Sequence, residues 1–572
     1  MRTKERFSIL SLFALFCFAL LPANVFGQAV YGSVFGSVTD QSGAAVAKAK
    51  VTITNTGTNV SETTETNSSG NYNQTRLIPG TYRVKIEAQG FKAAVTDVIV
   101  NVDRGSEANI ALQTGAVTEE VTITSEAPLL KTDRADVATT FESRQITDLP
   151  ILDRNFTKLI LLTPGTQQLQ WQHAASENPQ GSTQTMVNGQ SFSGTGFQLD
   201  GTENRDPILG IIVVNPNFES IGEAKVTSQN YDAEFGQAIA GVASVSTKSG
   251  TYDLHGAAFV FRQNDVLQAR NPFSQANKDP LTKKFIPDTL KSQFGGAIGG
   301  RIIKDKLFFF GDYEGLRSKT GGTRLLSVPT AAARTGDLTA YGVNIFDPAT
   351  SVFNSSGALT ARTQFVGNKI PTNRLSAQAL NVLKLIPLPN APGRLNGTTD
   401  NYVASGIEGF DKDSFNTRID FRASEKLSMF GRFSFADFAR NGPTAFGAGG
   451  GSELVSLGGD SKVRNQSVAY GFDYSWSSTL VTDFRFGFFR YKVNVLPFDF
   501  GKNTATDAGI RGLNNDAFSS GLFAGFIDGN GGTGGTNFGS GLGVNRCNCP
   551  LDQDENQFQF VSNTTKFVGD HT

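Results

Sequence analysis

Two patterns of apolar and polar positions divide the chain. Over residues 29–114, short alternating runs such as Val51-Thr52-Ile53-Thr54 and Tyr82-Arg83-Val84-Lys85-Ile86 are split by turn clusters at Asp40-Gln41-Ser42-Gly43, Asn67-Ser68-Ser69-Gly70 and Pro79-Gly80. This spacing predicts a small β-sandwich. Beyond Leu254 a period of two becomes the rule, as in Phe415-Asn416-Thr417-Arg418-Ile419-Asp420-Phe421, with apolar residues on one face and polar or charged residues opposite. Comparable runs occupy residues 254–262, 293–303, 307–315, 427–435, 466–476, 480–491 and 558–567, which makes about eight predicted strands.

The connections between these strands alternate in length. Lys304-Asp305-Lys306, residues 423–426 and Ser477-Ser478 form tight turns, whereas residues 263–292, 316–412, 436–465 and 492–557 form long links. Short turns on one side and long loops on the other are the plan of an outer-membrane barrel. The first link is long, as it must be if the first strand rises from the side that holds the preceding domains. A soluble sandwich with one buried face would alternate in the same way. Aromatic density at Tyr474, Trp476, Phe484, Phe486 and Phe488, around one tight turn, favours a membrane interface.

Between the two regions the texture changes near Ala127-Pro128. Residues 147–165 read as a capped amphipathic stretch in which Leu159, Ile160 and Leu162 lead into a Thr163-Pro164-Gly165 stop. Turns at Asn188-Gly189 and Asp200-Gly201, then strands around Glu223-Ala224-Lys225-Val226 and Val242-Ala243-Ser244-Val245-Ser246, extend a mixed α+β domain to Gly250. At the front, Arg2, Lys4 and Arg6 precede an apolar run at 7–21 and small residues ending at Gly27, the layout of an export signal cleaved after Gly27. The run is shorter than the ~20 apolar residues of a spanning helix, and Pro22 ends it. Cys17 follows the bulky Phe16 and is not a lipid attachment site.

The fold class expected is therefore mainly β. Residues 1–27 form the signal, 28–114 a sandwich, 115–250 an α+β domain and 251–572 a run of antiparallel transmembrane strands. Composition adds exclusions: 51 Lys and Arg balance 52 Asp and Glu, so no basic footprint for nucleic acid exists. After cleavage only Cys547 and Cys549 remain, too few for a disulfide framework, and no function is assigned to them. His173, His255 and His571 are too scattered for a zinc site, and His255 begins the first strand. Gly529-x-Gly531-x-x-Gly534 runs into more Gly, Thr and Asn and lacks the helix that would receive a pyrophosphate. Asp411 and Asp413 read as solvated loop edges, and the helical spacing at 375–385 as surface packing. No catalytic residue, cofactor or metal site is expected.

Several runs carry a family resemblance. Gly36-Ser37-Val38-Thr39-Asp40, Ser69-Gly70-Asn71-Tyr72, Leu77-Ile78-Pro79-Gly80-Thr81-Tyr82 and Gly90-Phe91 resemble a carboxypeptidase regulatory-like domain, a name that carries no peptidase activity. Further on come Leu149-Pro150, Arg154-Asn155-Phe156, Leu162-Thr163-Pro164-Gly165, Leu199-Asp200-Gly201, Tyr231-Asp232-Ala233-Glu234-Phe235-Gly236, Thr247-Lys248-Ser249-Gly250-Thr251 and the run from Lys304 to Gly315. In this order they resemble the plug and first strands of TonB-dependent outer-membrane receptors, in particular the Oar-like branch with a regulatory-like sandwich in front. One departure is Ile151-Leu152-Asp153, where the branch commonly shows Asn-Gly before the arginine.

The resemblance implies a plug motif of Arg154, Asn155, Phe156, Asp200, Gly201, Glu234 and Gly236. It also implies a TonB box, for which Glu119-Glu120-Val121-Thr122-Ile123-Thr124 is the candidate; a β-branched run of this kind can pair as an added strand with another sheet. The alternative is that these residues are the last strand of the sandwich. The partners implied are a TonB-type energising protein in the periplasm, outer-membrane lipid, and an imported carbohydrate, peptide or metal chelate. The expected location is the outer membrane, with the N-terminal domains periplasmic or inside the barrel. A closed barrel of eight strands is filled by its own side chains, so a plug requires a larger one; plugged transporters use about 22 strands. The expectation is thus of an N-terminal portion. A different class of function, surface adhesion or envelope assembly on the same scaffold, would need no box.

Overall fold

A strand that buries alternate side chains needs a second layer to receive them, and each unit of this chain solves that problem differently. The computed structural model describes residues 31–566 apart from 103, 117–119, 123–134, 170–171, 271–277, 279–281, 452, 478–479, 526–542 and 545–548. The export signal, the glycine-rich run at 529–534, Cys547, and Glu119, Ile123 and Thr124 of the candidate box lie outside these residues.

The sandwich comprises β1 (Gly32–Asp40), β2 (Lys50–Asn55), β3 (Ser61–Glu65), β4 (Asn71–Leu77), β5 (Gly80–Glu87), β6 (Ala93–Val100), β7 (Gly105–Glu107), β8 (Ile110–Leu112) and β9 (Glu120–Thr122). One sheet has the order β3-β2-β5-β6-β9; the other has β4-β1-β7, with β8 also on β1. Val34, Val38, Val51, Ile53, Val84 and Ile86 face inward and are fully buried. Two buried tyrosines satisfy their hydroxyls locally: Tyr72 donates to the Ala108 carbonyl at 2.8 Å and Tyr82 to that of Ile78 at 2.9 Å. The sheet extends past the expected boundary at 114, because β9 adds to β6 in parallel.

The middle unit begins with β10 (Val137–Glu142) and α1 (Ser143–Asp148) and continues through β11 (Thr166–Gln168), β12 (Thr185–Val187), β13 (Thr195–Leu199), β14 (Thr202–Glu203), β15 (Ile221–Gln229) and β16 (Gly241–Thr247). Its main sheet runs β10-β15-β16-β13-β14. The helical stretch expected at 147–165 is broken. Leu149 precedes Pro150 and is extended at φ −70, ψ 135, as the clash with the proline ring requires. Two 3-10 turns, Leu152–Arg154 and Phe156–Leu162, follow. Leu159 and Ile160 are buried but Leu162 is exposed, against expectation. Asp153 stands at φ 61, where the resembling branch has glycine. Aspartate tolerates this left-handed conformation better than most residues, so the turn survives the departure.

The third unit is one antiparallel sheet with the order β17-β18-β19-β22-β23-β25-β26-β28. Its strands are β17 (His255–Asn264), β18 (Thr289–Ile303), β19 (Leu307–Leu326), β22 (Tyr402–Ser424), β23 (Leu427–Gly442), β25 (Gly459–Ser477), β26 (Leu480–Pro497) and β28 (Leu551–Lys566). The long links hold the short strands β20 (Val352–Phe353), β21 (Leu359–Ala361), β24 (Gly450–Gly451) and β27 (Gly543–Val544). All eight predicted strands are present, most of them extended into the predicted links. β22 alone has 23 residues, on the order of 75 Å of chain at about 3.3 Å per residue, against an apolar band of about 25 Å. Above that band the alternation fades because both faces meet polar surroundings, while the ladder continues from Leu326 opposite Tyr402 to Gly459 opposite Pro497.

One face of this sheet is aromatic. Phe415 packs on Phe433 with ring centroids 5.6 Å apart, Phe472 on Phe484 at 5.3 Å, Phe486 on Phe560 at 5.2 Å and Phe488 on Phe558 at 5.0 Å. Tyr474 and Trp476 sit by the tight turn, whereas Phe484, Phe486 and Phe488 climb the outer face, so only the first two form the expected girdle. β17 and β28 are the sheet's edges and do not pair with each other. Among the links, the helix α2 (Ala377–Leu385) buries Val382 in a small apolar cluster with Val328, Phe446, Leu454 and Leu522. A one-turn helix, α3 (Thr504–Asp507), buries Ala505, and Ala508 just after it joins the same cluster. Asp411 and Asp413 are corrected from loop to strand: both lie in β22, and Asp413 pairs with Arg317 at 2.8 Å. Cys549 is disulfide-bonded.

Candidate functional site

The inner face of the eight-stranded sheet receives the middle unit, which lies against it as a plug. The contact is built on the Asp200-Gly201 turn between β13 and β14, whose residues take φ of 50 and 75. Two successive left-handed residues make the tight hairpin that Asp-Gly favours. Asp200 is thereby aimed at the wall. It accepts the Thr247 N–H and hydroxyl, both at 2.8 Å, and pairs with Arg418 at 2.8 Å and Arg432 at 2.9 Å. Arg418 also donates to Asp420 at 2.9 Å, and Asp420 accepts from Ser249 at 2.7 Å. Two arginines and two aspartates are buried together, so the charges balance. Burial of such ions is tolerable only when they are paired and hydrogen-bonded.

A second network surrounds Arg154. Its guanidinium pairs with Glu219 at 2.9 Å and Glu314 at 3.5 Å, and lies 4.3 Å from the Phe259 ring centre and 5.0 Å from that of Phe218. Glu314 in turn accepts from Lys412 at 2.8 Å and Gln293 at 3.0 Å. Asn155 caps the following 3-10 turn, accepting from Thr157, and its amide donates to the Gly181 carbonyl at 2.7 Å. Phe156 is buried in the core. Between the two networks Asn217 donates to Asp312 at 2.5 Å and Asn416 to the same carboxylate at 3.0 Å.

Five of the seven residues implied by the resemblance, Arg154, Asn155, Phe156, Asp200 and Gly201, thus serve this seam or the core behind it. Glu234 and Gly236 do not join them. They belong to the 3-10 turn Ala233–Phe235 and its C-cap, packed as a satellite around Phe235, Ala238 and Val242. Period two over residues 415–421 and 427–435 sets Arg418, Asp420 and Arg432 on the polar face, toward the lumen of a barrel, and the structure adds Asp312, Glu314 and Lys412 to that face. The available signal was ionic residues recurring at period two on strands whose other face is aromatic. Of the candidate box, Glu120, Val121 and Thr122 form β9, in register with Ala93, Ala94 and Val95 of β6.

At the short-turn end a cavity of about 640 Å³ separates the sandwich, the plug and the wall; its lining includes Tyr31, Arg76, Glu223, Lys248, Arg418 and Asp473. Burial pushes the Glu223 carboxyl up to about 7, despite a stabilising hydrogen bond from the Val102 N–H at 2.9 Å. Burial also lowers the Lys248 ammonium below its usual range.

An aromatic outer face, an ionic inner face and a plug seated on it are the parts of an outer-membrane barrel, and residues 246–572 match the outer membrane beta barrel domain. The chain belongs to this family. It lies in the outer membrane, and residues 33–113 match the carboxypeptidase regulatory-like domain. It is a homologue of the TonB-dependent transporter Oar of Myxococcus xanthus, 25% identical over 316 residues that cover 53% of this chain and 29% of that protein. The chain therefore spans under a third of the length of this curated relative. Similar solved structures include the outer membrane transporter YddB from Escherichia coli, at 12% identity and a TM-score of 0.40, covering 64% of this chain and 40% of that one. Another is the siderophore receptor PirA from Acinetobacter baumannii, at 14% identity and a TM-score of 0.36, covering 63% of this chain and 40% of that one.

Proposed function

We propose that this chain acts in energised import across the outer membrane: a TonB-type protein pairs with Glu119-Glu120-Val121-Thr122-Ile123-Thr124, pulls, and displaces the plug so that a bound carbohydrate, peptide or metal chelate can enter. Residues 28–114 are then a periplasmic module, 115–250 the box and plug, and 251–572 the wall. The observation that carries this reading is the polar seam at Asp200, Arg418, Asp420 and Arg432. Charged groups that part from one another can be rehydrated, whereas an apolar seam loses about 25 cal/mol for each Å² it exposes. The ionic part of the seam therefore suits a plug that must leave its seat and return, while the apolar part, against Phe438, Val463, Phe489 and Val493, is what the pull has to overcome. The role is mechanical and needs no catalytic group in this chain, since the outer membrane stores no gradient and the work comes from the partner.

The test is to place proline at Val121 and Ile123 and measure capture of the energising protein's periplasmic domain, together with uptake, in cells where barrel insertion is verified. Loss of capture and uptake with normal insertion is expected, because proline removes the N–H groups that strand addition uses. Undiminished capture and uptake would refute the energised reading.

A further inference from the structure

The sandwich is fastened to both other units. The Tyr31 hydroxyl donates to Asp473 at 2.8 Å, and its ring centre is 4.9 Å from the Arg485 guanidinium, which also lies 5.0 Å from that of Phe430. Arg422 donates to the Ser61 carbonyl at 2.9 Å and pairs with Glu62 at 3.1 Å. The Tyr252 N–H donates to the Gly57 carbonyl at 2.7 Å, and Val102 binds Glu223. These contacts surround the 640 Å³ cavity, so the sandwich forms its floor at the short-turn end of the barrel wall.

We propose that the sandwich is a cap over the inner mouth, a second closure in series with the plug, released through β9. The direction of the pull rests on the import reading; the cap itself does not. The fastenings are polar, so the groups they join regain hydrogen bonds to water when the sandwich lifts away. β9 is an edge strand of three residues paired in parallel, whereas β10, the first strand of the plug, has six residues paired antiparallel to β15. The shorter parallel ladder is the weaker. A pull on residues 120–122 therefore strips β9 from β6 first and then bears on the body of the sandwich, which precedes β9 in the chain, so that its polar fastenings part before the six-residue ladder of the plug does.

The experiment uses Ser246→Cys, whose position in the plug lines the cavity and is 6% exposed. Its labelling by a polar maleimide is followed in isolated outer membranes, with the chain lacking the substitution as background. Tyr31→Ala combined with Arg422→Ala is expected to speed labelling about tenfold by freeing the cap. A cross-link between Gly57→Cys and Thr251→Cys should return it to the slow rate; a Cβ on Gly57 stands 3.6 Å from Thr251 Cγ2. Labelling that neither the double substitution nor the cross-link alters would overturn the cap, and the cross-linked chain keeps the test valid if the double variant folds poorly. In energised cells labelling should also accelerate, and Val121→Pro should prevent this. If the membrane experiments succeed and energisation has no effect, the cap stands and the import reading falls.

Discussion

The sandwich packs Val34, Val38, Ile53, Val84, Ile86, Ile110 and Leu112 against one another, all from its own segment of chain. The plug's cluster instead combines Ile146, Phe156, Leu159, Val213 and Val245 with Phe438, Val463, Phe489, Val493 and Val495 of the wall. Buried charge divides the two in the same way. Among the described residues the sandwich buries no ionic side chain, while the plug buries Asp136, Glu177, Asp200, Asp206, Glu223 and Lys225. A unit with its own apolar core is stable wherever it is placed. One whose core is completed by a partner surface, and whose charges are neutralised there, is stable only when seated.

The sharpest way to break this contrast is Asp200→Ala, which leaves Arg418 and Arg432 buried with Asp420 as their remaining acid. Removing one partner of a buried ionic group costs about 3–5 kcal/mol. Proteolysis within 135–250 should become easy at low urea while the sandwich stays protected; equal protection of the plug would contradict the contrast. Ile53→Ala acts in the opposite unit. Its side chain is fully buried, so the loss should be about 2–5 kcal/mol. Amide hydrogen exchange should quicken in β2 and β5 and stay unchanged in β15 and β16.

The smallest effect is a pH dependence at the boundary of the two units. Burial raises the Glu223 carboxyl to about 7 in the docked state, above the ordinary value near ~4.3. The docked state therefore binds the extra proton, and its stabilisation is full below the ordinary value and lost as pH rises through 7. Because maleimide reacts with the thiolate, the rate is divided by that of a free thiol at the same pH; so normalised, labelling of Ser246→Cys should be slowest near pH 4 and accelerate toward pH 8, a change worth about 1–3 kcal/mol. Glu223→Gln should flatten the profile, and a persistent slope would assign the effect to another group.

Legibility followed the reach of the interactions. The eight wall strands were readable because each has one face toward lipid and one toward the plug, which writes a period of two into residues such as 415–421. Their upper ends were not, since Glu408 to Asp413 have no lipid to face and look like loop. The helix expected at 147–165 failed at Pro150, where a local steric rule outweighed the apolar spacing. Asp200 and Arg154 were legible as motif positions, but their partners were not. Arg418, Arg432 and Glu314 lie more than a hundred residues downstream, and no local pattern states which of several inner-face charges meets which plug residue.

The sequence by itself determined the order of the units, the strands of sandwich and wall, and which face of each wall strand is apolar, because these depend on the nearest few residues and on the medium each face meets. Only the tertiary structure decided that five motif residues serve the seam and its supporting core while Glu234 and Gly236 pack elsewhere, that Glu120–Thr122 lie on the sandwich edge, and that the sandwich is fastened to the wall at the short-turn end. Those outcomes rest on charge pairing, hydrogen bonding and strand addition between distant segments. Such contacts are fixed by the three-dimensional approach of surfaces, which a one-dimensional pattern does not contain.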